Sequence, residues 1–333
     1  MFLMVHTLDV NNRGTPPLNE ISKSIMKNNA LVISNTDLSL RRSITIDPKE
    51  TMRKDKINVE HDVLFGKIVN THPYKYISKP SAVCNFTVNN VHPNLLILVK
   101  SDVFHIGHRM AIRATWGNLT NSARHIAFLL GYSSLVESFI KMEFNVYNDL
   151  IQEDFIDQYR NNTLKTIMGF KWAASNCRHA KFVLFVDDDY FVNMPNLINL
   201  IEDIEKSEQQ SVFIGRMQKF RYVHRNKYNK WYVSTDEYPN KKWPPFISGG
   251  SMLLSMDVVI KFALAFPYVK SISLDDVYLG MVAKILKITM THNERFETRF
   301  IIKKLKKLIT SHDYGSPTIL VSEFNRLFQR GKY

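Results

Sequence analysis

The 333-residue sequence is poor in cysteine and lacks any long hydrophobic run. Its two cysteines, Cys84 and Cys177, exclude a framework of several disulfides, although a single bridge between them is possible. A membrane-spanning helix needs about 20 apolar residues, but the apolar run from Met1 to Val5 gives way at once to polar sequence. We therefore expect no bilayer-spanning segment within this sequence.

The composition is that of a folded protein with a basic surface. Hydrophobic residues make up 45% of the chain and aromatic residues 12%, which supplies a substantial core and excludes disorder of the whole chain. Lys and Arg outnumber Asp and Glu by 44 to 31, which gives a net charge of +13. This charge favours an anionic partner, whether a nucleotide, a nucleic acid or a membrane surface.

A nucleic-acid-binding protein is one interpretation of the positive charge. The run from Lys303 to Lys307, with an apolar residue inside it, favours this class. A helix with one basic face explains the run equally well. No recognised nucleic-acid module is present, and the acidic clusters described below would repel a phosphate backbone. We therefore expect no nucleic-acid partner.

The chain divides into a polar first part and a patterned second part. Residues 11–78 are rich in Asn, Ser, Thr and Lys and show no sustained periodicity, so residues 1–78 are predicted to form a stem or tail. Residues 79–333 are predicted to form one folded domain. There, short apolar runs alternate with amphipathic stretches, a pattern typical of an α/β sheet with crossover helices.

Continuous apolar runs in this domain predict buried strands, and amphipathic stretches predict helices. The clearest strands are expected at Leu95–Val99, Ile126–Leu130 and Phe182–Val186. Further strands are expected around Val212–Ile214, Trp231–Val233 and Met252–Leu254. Helices are expected at Leu164–Ser175 and Pro195–Glu205.

Three consecutive carboxylates, Asp187, Asp188 and Asp189, directly follow the predicted strand Phe182–Val186. Carboxylates crowded at a strand end repel one another unless a cation lies among them, and α/β sheets bind ligands at the carboxyl ends of parallel strands. Oxygen ligands suit Mg²⁺ or Mn²⁺, which can bridge to a diphosphate. A solvated turn or a helix cap is the alternative interpretation.

A second acidic pair, Asp275 and Asp276, opens a stretch that is predicted to be helical. Carboxylates in the first turn of a helix are favoured by the helix dipole, so capping explains the pair without any function. The functional alternative is that one carboxylate, free of the metal, accepts a proton from an attacking hydroxyl.

Basic and glycine-rich segments supply further candidates. Arg109 and Arg113 lie four residues apart on a predicted helix and would share one face, where they either hold a diphosphate or face solvent. Gly249 and Gly250 would allow a ligand to approach the backbone closely, although a tight turn between strands explains them equally well.

Six segments occur in an order that resembles the β-1,3-galactosyltransferase and β-1,3-N-acetylglucosaminyltransferase family, glycosyltransferase family 31. The resemblance runs from about Leu95 to the C-terminal region, and six ordered matches are far more specific than any single motif. The segments are Arg109–Gly117, Phe128–Gly131, Glu153–Thr166, Val186–Asn193, Tyr238–Gly249 and Asp275–Gly280.

The resemblance implies a GT-A fold, an α/β architecture with a Rossmann-like nucleotide half and a mixed central sheet flanked by helices. Residues 79–333 would be the catalytic domain. The implied activity is that of an inverting hexosyltransferase, which moves galactose or an N-acetylhexosamine from a UDP-sugar, with Mn²⁺ as cofactor. The acceptor would be the 3-hydroxyl of a glycan on protein or lipid. The sequence does not indicate which UDP-sugar is used, because sugar discrimination rests on a few pocket contacts.

The family's members are Golgi membrane proteins with a luminal catalytic domain, so the resemblance also implies attachment to the Golgi membrane through an anchor absent from this chain. Three Asn-x-Ser/Thr sequons, at Asn85, Asn118 and Asn161, fit that compartment. The alternative function is that of a catalytically idle family member that serves as a partner or chaperone for an active enzyme.

Individual residues take roles by the same resemblance. Asp276 corresponds to the general base, and Asp189 to a direct metal ligand. His312 is a further candidate ligand, for which a surface histidine is the alternative. The acidic triplet as a whole corresponds to the group that binds metal and nucleotide, with Asp187 as a second ligand. The residues predicted to line the nucleotide pocket are Arg109, Arg113, Lys165, Asp187, Asp188 and Gly249.

Overall fold

The computed structural model describes residues 66–81, 83–84, 94–119 and 124–328. Most of the predicted stem and the sequon at Asn85 lie outside the described residues. The last part of the predicted stem, residues 66–78, packs against the folded domain. The backbone amides of Val69 and Asn70 donate to the carbonyl of Pro267 at 2.9 and 3.0 Å.

Strands and helices alternate along most of the described chain. The strands are β1 (Tyr76–Ser78), β2 (Leu95–Lys100), β3 (Arg124–Tyr132), β4 (Leu150–Ile156), β5 (Phe182–Asp187), β6 (Phe191–Val192), β7 (Phe213–Gln218), β8 (Phe246–Ser255), β9 (Thr291–His292) and β10 (Thr310–Ser311). The α-helices are α1 (Ile106–Ala114), α2 (Glu137–Tyr147), α3 (Asn162–Asn176), α4 (Met194–Lys206), α5 (Met256–Ala265), α6 (Asp275–Ile285) and α7 (Pro317–Phe328).

In the part of the chain that the structure describes, eight of these strands form one mixed sheet in the order β1-β4-β3-β2-β5-β8-β7-β9. Strands β4, β3, β2 and β5 are parallel, whereas β8 pairs antiparallel with both β5 and β7. This mixed sheet with flanking helices confirms the predicted α/β fold class. The parallel strands end at one edge, where ligand sites of such sheets lie.

Side chains of the central strands alternate between the two faces of the sheet, although the runs are apolar throughout. On β2, Leu96 and Leu98 belong to one core, and Leu95, Ile97 and Val99 to the other. Helices α3, α5 and α6 contribute to the first core, and α1, α2, α4 and α7 to the second. Burial on both faces explains why β2 reads as an unbroken hydrophobic run.

Helix α3 buries the apolar positions on which its prediction rested. Ile167, Met168, Phe170 and Trp172 are all buried, and the ring of Phe170 stacks on that of Phe185 with centroids 4.4 Å apart. Full burial of one such side chain contributes about 1.5–3 kcal/mol. Directly after the helix, at Cys177, the two cysteines form the single possible disulfide, Cys84–Cys177.

The predicted strand around Trp231–Val233 is wrong. Only an isolated bridge between His224 and Tyr232 occurs there, within a loop of residues 219–245 that joins β7 to β8. The guanidinium of Arg225 holds this loop by donating to the backbone carbonyls of four residues. The aromatic residues of this segment favoured a strand because such residues are enriched in strands. In the structure, the Trp231 ring instead lines a cavity.

The short strands β6 and β10 pair antiparallel, apart from the main sheet, with Ser311 opposite Phe191. This pairing brings the residues just before β6 next to the residues just after β10. Within the described residues, no helix is both long enough and apolar enough to cross a bilayer.

Candidate active site

The site is centred on Lys100, a residue that no sequence motif singled out. Lys100 ends β2 and lies in register with Asp187, the last residue of β5. Its Nζ lies 2.9 Å from Asp187 Oδ1, 2.8 Å from Asp275 Oδ2 and 3.0 Å from the carbonyl oxygen of Gly249. Burial lowers the pKa of Lys100, but the two carboxylates outweigh burial and raise it overall. The Lys100 side chain therefore stays protonated and gives the site a permanent positive charge.

The acidic pair at the start of α6 is divided into two different environments. Asp275 accepts hydrogen bonds from Lys100 and from Thr166 Oγ1, the latter at 2.8 Å. Burial works to raise the pKa of Asp275, but Lys100 and these hydrogen bonds lower it below its usual value. Asp275 is therefore a fixed anion that neutralises Lys100.

Among the residues that the structure describes, no Lys, Arg or His forms an ion pair with Asp276. Its Oδ1 accepts the backbone N–H of Val277 at 2.7 Å, and the side chain is half-buried at the cavity. Burial, followed by the charge of Asp275, raises the pKa of Asp276 to about 7. Adjacent carboxylates whose environments push their pKa values apart are a pattern of acid–base sites. Of this pair, Asp276 is thus the carboxylate that can exchange a proton near neutral pH.

The acidic triplet does not act as one cluster, because successive side chains at a strand end point to opposite sides. Asp187 and Asp189 line the cavity. Asp188 does not: it is buried on the other side, where it accepts from Ser101 Oγ at 2.6 Å and lies 3.0 Å from His105 Nδ1. Asp188 therefore lies outside this cavity, and its predicted contact with the nucleotide stays a prediction.

Asp189 and His312 meet across the β6–β10 pair. His312 Nε2 lies 3.1 Å from Asp189 Oδ2, and both side chains line the cavity. The hydrogen bond to Asp189 raises the pKa of His312. The second carboxylate oxygen of Asp189 is buried and has no hydrogen-bond partner.

The side chains of Arg109, Arg113 and Lys165, which are predicted to line the nucleotide pocket, do not line this cavity. Arg109 is fully buried, and its guanidinium donates to both carboxylate oxygens of Glu143 at 2.8 Å. Arg113 shares Glu143 and also binds Asp149. The two arginines do share one helix face, as predicted, but that face meets carboxylates of this chain and neither side chain lines the cavity.

Lys165 likewise forms an internal ion pair. Its Nζ lies 2.8 Å from Asp157 Oδ1 and also donates to the carbonyl oxygen of Ser101. The spacing of these cations in the sequence shows which face they share, but not which carboxylate a neighbouring element brings to them. We find no described contact that directs Arg109, Arg113 or Lys165 toward the cavity.

Gly249 lies within β8, so the Ser-Gly-Gly segment is part of a strand rather than a tight turn. A Cβ atom at Gly249 would lie 3.1 Å from Cβ of Asp276 and 3.3 Å from Oδ1 of Asp275. The glycine therefore lets α6 approach the strand closely enough to present both carboxylates at the cavity.

These groups surround a cavity of about 710 Å³, a volume typical of sites for small organic ligands. Lys100, Asp187, Asp189, Asp276 and His312 are among the polar residues that line it. Aromatic side chains from the 219–245 loop and from the 3₁₀ turn Tyr159–Asn161 also line it, including Tyr159, Tyr222, Trp231 and Trp243.

Comparison with known proteins identifies the family. The family model described as Galactosyltransferase matches residues 107–294, more than half of the chain. The chain belongs to the galactosyltransferase family.

Curated relatives of this galactosyltransferase-family chain include two named by donor sugar. It is 33% identical over 260 residues to "Beta-1,3-galactosyltransferase brn" of Drosophila melanogaster, with 76% of this chain and 79% of that protein covered. It is 33% identical over 243 residues to "UDP-GalNAc:beta-1,3-N-acetylgalactosaminyltransferase 1" of Homo sapiens, with 69% of this chain and 73% of that protein covered. Among solved structures, the galactosyltransferase LgtC in complex with donor and acceptor sugar analogues aligns with a TM-score of 0.38 and 11% identity, covering 72% of this chain and 100% of that chain.

Two polar residues of this family member have the chemistry to contribute to a divalent cation site. Among the described residues, no three His, Cys, Asp or Glu side chains lie close enough to hold a metal by themselves. Asp189 and His312 offer two ligands of suitable chemistry, one of them with an unsatisfied oxygen. Mg²⁺-like ions are usually held by one or two carboxylates, water and substrate phosphates. A cation held by this pair would therefore need further oxygen ligands.

Proposed function

We propose that the protein is an inverting β-1,3-hexosyltransferase that moves galactose or an N-acetylhexosamine from a UDP-sugar to the 3-hydroxyl of an acceptor glycan. The relatives described above are named for β-1,3 transfer of galactose or N-acetylgalactosamine. The observation that carries the proposal is Asp276, a carboxylate without a cationic partner at a cavity that also contains the Asp189–His312 pair.

Asp276 acts as the general base in this proposal. Its carboxylate accepts the proton of the acceptor 3-hydroxyl while that oxygen attacks the anomeric carbon of the donor, and UDP leaves from the opposite face. Lys100 and Asp275 keep their charges during this step because each neutralises the other. The ion pair thereby holds the start of α6, and Asp276 with it, in a fixed position.

Asp189 and His312 would hold the cation, Mn²⁺ in our proposal, and Asp187, which lines the same cavity, would add negative charge near it. When bound, Mn²⁺ would neutralise charge on the departing diphosphate. Burial raises the pKa of Asp187 to about 6, with Lys100 opposing and the charge of Asp189 adding to the rise. This surplus of negative charge favours a cation.

The test is a transfer assay with UDP-galactose, UDP-N-acetylgalactosamine and UDP-N-acetylglucosamine, each with Mn²⁺ present or chelated. We expect release of UDP with one of these donors, and loss of that release on chelation. Chelation without effect would contradict the proposed metal. No UDP release from any donor would favour a catalytically idle family member.

We also propose that the domain works in the lumen of the secretory pathway, at the Golgi membrane. The disulfide Cys84–Cys177 supports this location because such bonds persist in oxidising compartments. Of the two sequons in described segments, Asn118 is exposed, whereas the Asn161 side-chain amide donates to the carbonyl of Ile156 at 2.8 Å. Expression in a secretory system should therefore give a glycan at Asn118 that disappears in Asn118→Gln, as seen by a mobility shift after glycosidase treatment.

A further inference from the structure

The loop of residues 219–245 is the most basic part of the cavity wall. It carries seven Lys or Arg against two acidic residues, Asp236 and Glu237, and seven aromatic residues. The basic residues are Lys219, Arg221, Arg225, Lys227, Lys230, Lys241 and Lys242. The proposed transfer reaction as such requires no positive charge on this wall, so the charge of the loop has another cause.

Two of these cations face the cavity without an acidic partner. Arg221 and Lys230 line the cavity, and within the described segments no carboxylate forms a salt bridge with either. The Arg221 guanidinium donates to Gln218 Oε1 at 3.0 and 2.7 Å, and Gln218 Nε2 donates to Ser248 Oγ at 3.1 Å. A neutral amide therefore orients Arg221 and leaves its charge uncompensated.

Lys230 is placed over an aromatic pair. Its Nζ lies 5.1 Å from the ring centre of Trp231 and 5.8 Å from that of Tyr159. The two rings therefore lie on either side of one ammonium group. Both rings are about half exposed, at 45% and 47%. They offer an apolar surface with a cation at its margin.

This aromatic pair lies near the proposed base. Tyr159, Trp231 and Lys230 line the same cavity as Asp276. Burial and then the negative charges of Asp275 and Asp276 raise the pKa of Tyr159, in keeping with that placement. A sugar whose hydroxyl reaches Asp276 would have its neighbouring sugar beside Tyr159, Trp231 and Lys230.

We propose that this wall, formed by Tyr159, Trp231, Lys230 and Arg221, binds the acceptor, and that the acceptor carries a carboxylate or sulfate group on the sugar next to the one that is modified. This inference rests on the proposed function. The cavity contains the carboxylates of Asp187, Asp189, Asp275 and Asp276, which repel an anionic acceptor. Two uncompensated cations on the acceptor side offset that repulsion, whereas a neutral acceptor would need no such charge.

The test is binding of the whole protein, with UDP and Mn²⁺, to an array of neutral, uronate-bearing, sialylated and sulfated glycans. We expect the bound glycans to carry an anionic group, and the array then separates carboxylate from sulfate. Lys230→Gln and Arg221→Gln should each weaken binding of those glycans by about three- to tenfold, the effect of one partly exposed ion pair. Lys227→Gln is the matched control, since Lys227 is exposed in the same loop but does not line the cavity.

Binding to neutral glycans with equal strength, binding to no glycan, or equal losses in the control would overturn the inference. Preference for anionic glycans should also fall as salt rises from about 0.05 M to about 0.5 M. Binding of UDP with Mn²⁺, measured by calorimetry on the same variants, should be unchanged. Weakened UDP binding would instead assign the two cations to the donor. Because donor cleavage is assayed separately, failure of this inference and failure of the proposed function are distinguishable.

Discussion

Asp189 and His312 lie 3.1 Å apart because β6 and β10 pair antiparallel. This short pairing puts a carboxylate from the end of the parallel sheet beside a histidine from the C-terminal region. Both side chains line the cavity, where we propose that they hold a divalent cation together with a bound diphosphate.

The first prediction concerns these two ligands. Asp189→Ala and His312→Ala should each weaken binding of UDP in the presence of Mn²⁺ by about 10- to 100-fold, the usual cost of disturbing a metal site. Binding of UDP with Mn²⁺ chelated should be equally weak in wild type and variants. Calorimetry measures both, and Asp203→Ala, at an exposed helix position, is the control. Metal-dependent UDP binding that survives both substitutions would exclude this pair as ligands.

The second prediction separates structural from ligand-binding arginines. Arg109→Ala leaves Glu143 buried without its main partner, which should cost about 3–5 kcal/mol of unfolding free energy. The folded Arg109→Ala protein should bind UDP as the wild type does, because Arg109 does not line the cavity. Chemical denaturation and calorimetry measure the two effects.

The double variant Arg109→Met with Glu143→Leu is the matched control for that experiment. It removes both charges, so it should recover much of the lost stability. A stable Arg109→Ala protein with weakened UDP binding would instead support the nucleotide role that the family resemblance implies.

The third prediction is a pH dependence of transfer. Asp276 must be ionised to accept a proton, and burial raises its pKa to about 7. We therefore expect kcat/KM to rise with pH and to reach half its plateau near pH 7, measured with saturating Mn²⁺. A change of about tenfold or less in the buffer-corrected rate between pH 5.5 and pH 8.5 would argue against Asp276 as the base.

The fourth prediction concerns stability, and its sign follows from the same raised pKa. Since folded Asp276 holds its proton to higher pH than the unfolded chain does, the native state loses stability as pH rises from the ordinary Asp pKa toward about 7. Asp276→Asn removes this loss. The variant should be more stable than wild type at pH 8 by about 1–2 kcal/mol, less than the full shift because the side chain is only half-buried. The difference should vanish near pH 4, as measured by denaturation at both pH values.

Much of the fold was predictable from the sequence because strands that are buried on both faces read as unbroken hydrophobic runs. Two strands and one helix were predicted within two residues of their bounds, namely Leu95–Lys100, Phe182–Asp187 and Asn162–Asn176. The segment around Trp231–Val233 was not, because aromatic residues on a cavity wall and in a strand look alike in composition.

The site was predictable only where residues lie together in the chain. The sequence shows the acidic triplet and the Asp275–Asp276 pair as clusters. It does not show that the Asp188 side chain points away from those of its two neighbours. Lys100 ends an apolar strand, where a single lysine has many explanations. Its role depends on the register of β2 against β5, which no local pattern encodes.

The measurement that tests the account most directly compares wild type with Asp276→Asn in two assays, sugar transfer and UDP binding with Mn²⁺. Removing the base should lower kcat by about 10²–10⁴-fold, while the dissociation constant for UDP stays within about twofold, a difference near the usual precision of binding free energies. The same assays on Asp203→Asn should show no change. Near-normal transfer by Asp276→Asn would contradict the central claim that this unpaired carboxylate takes the acceptor proton.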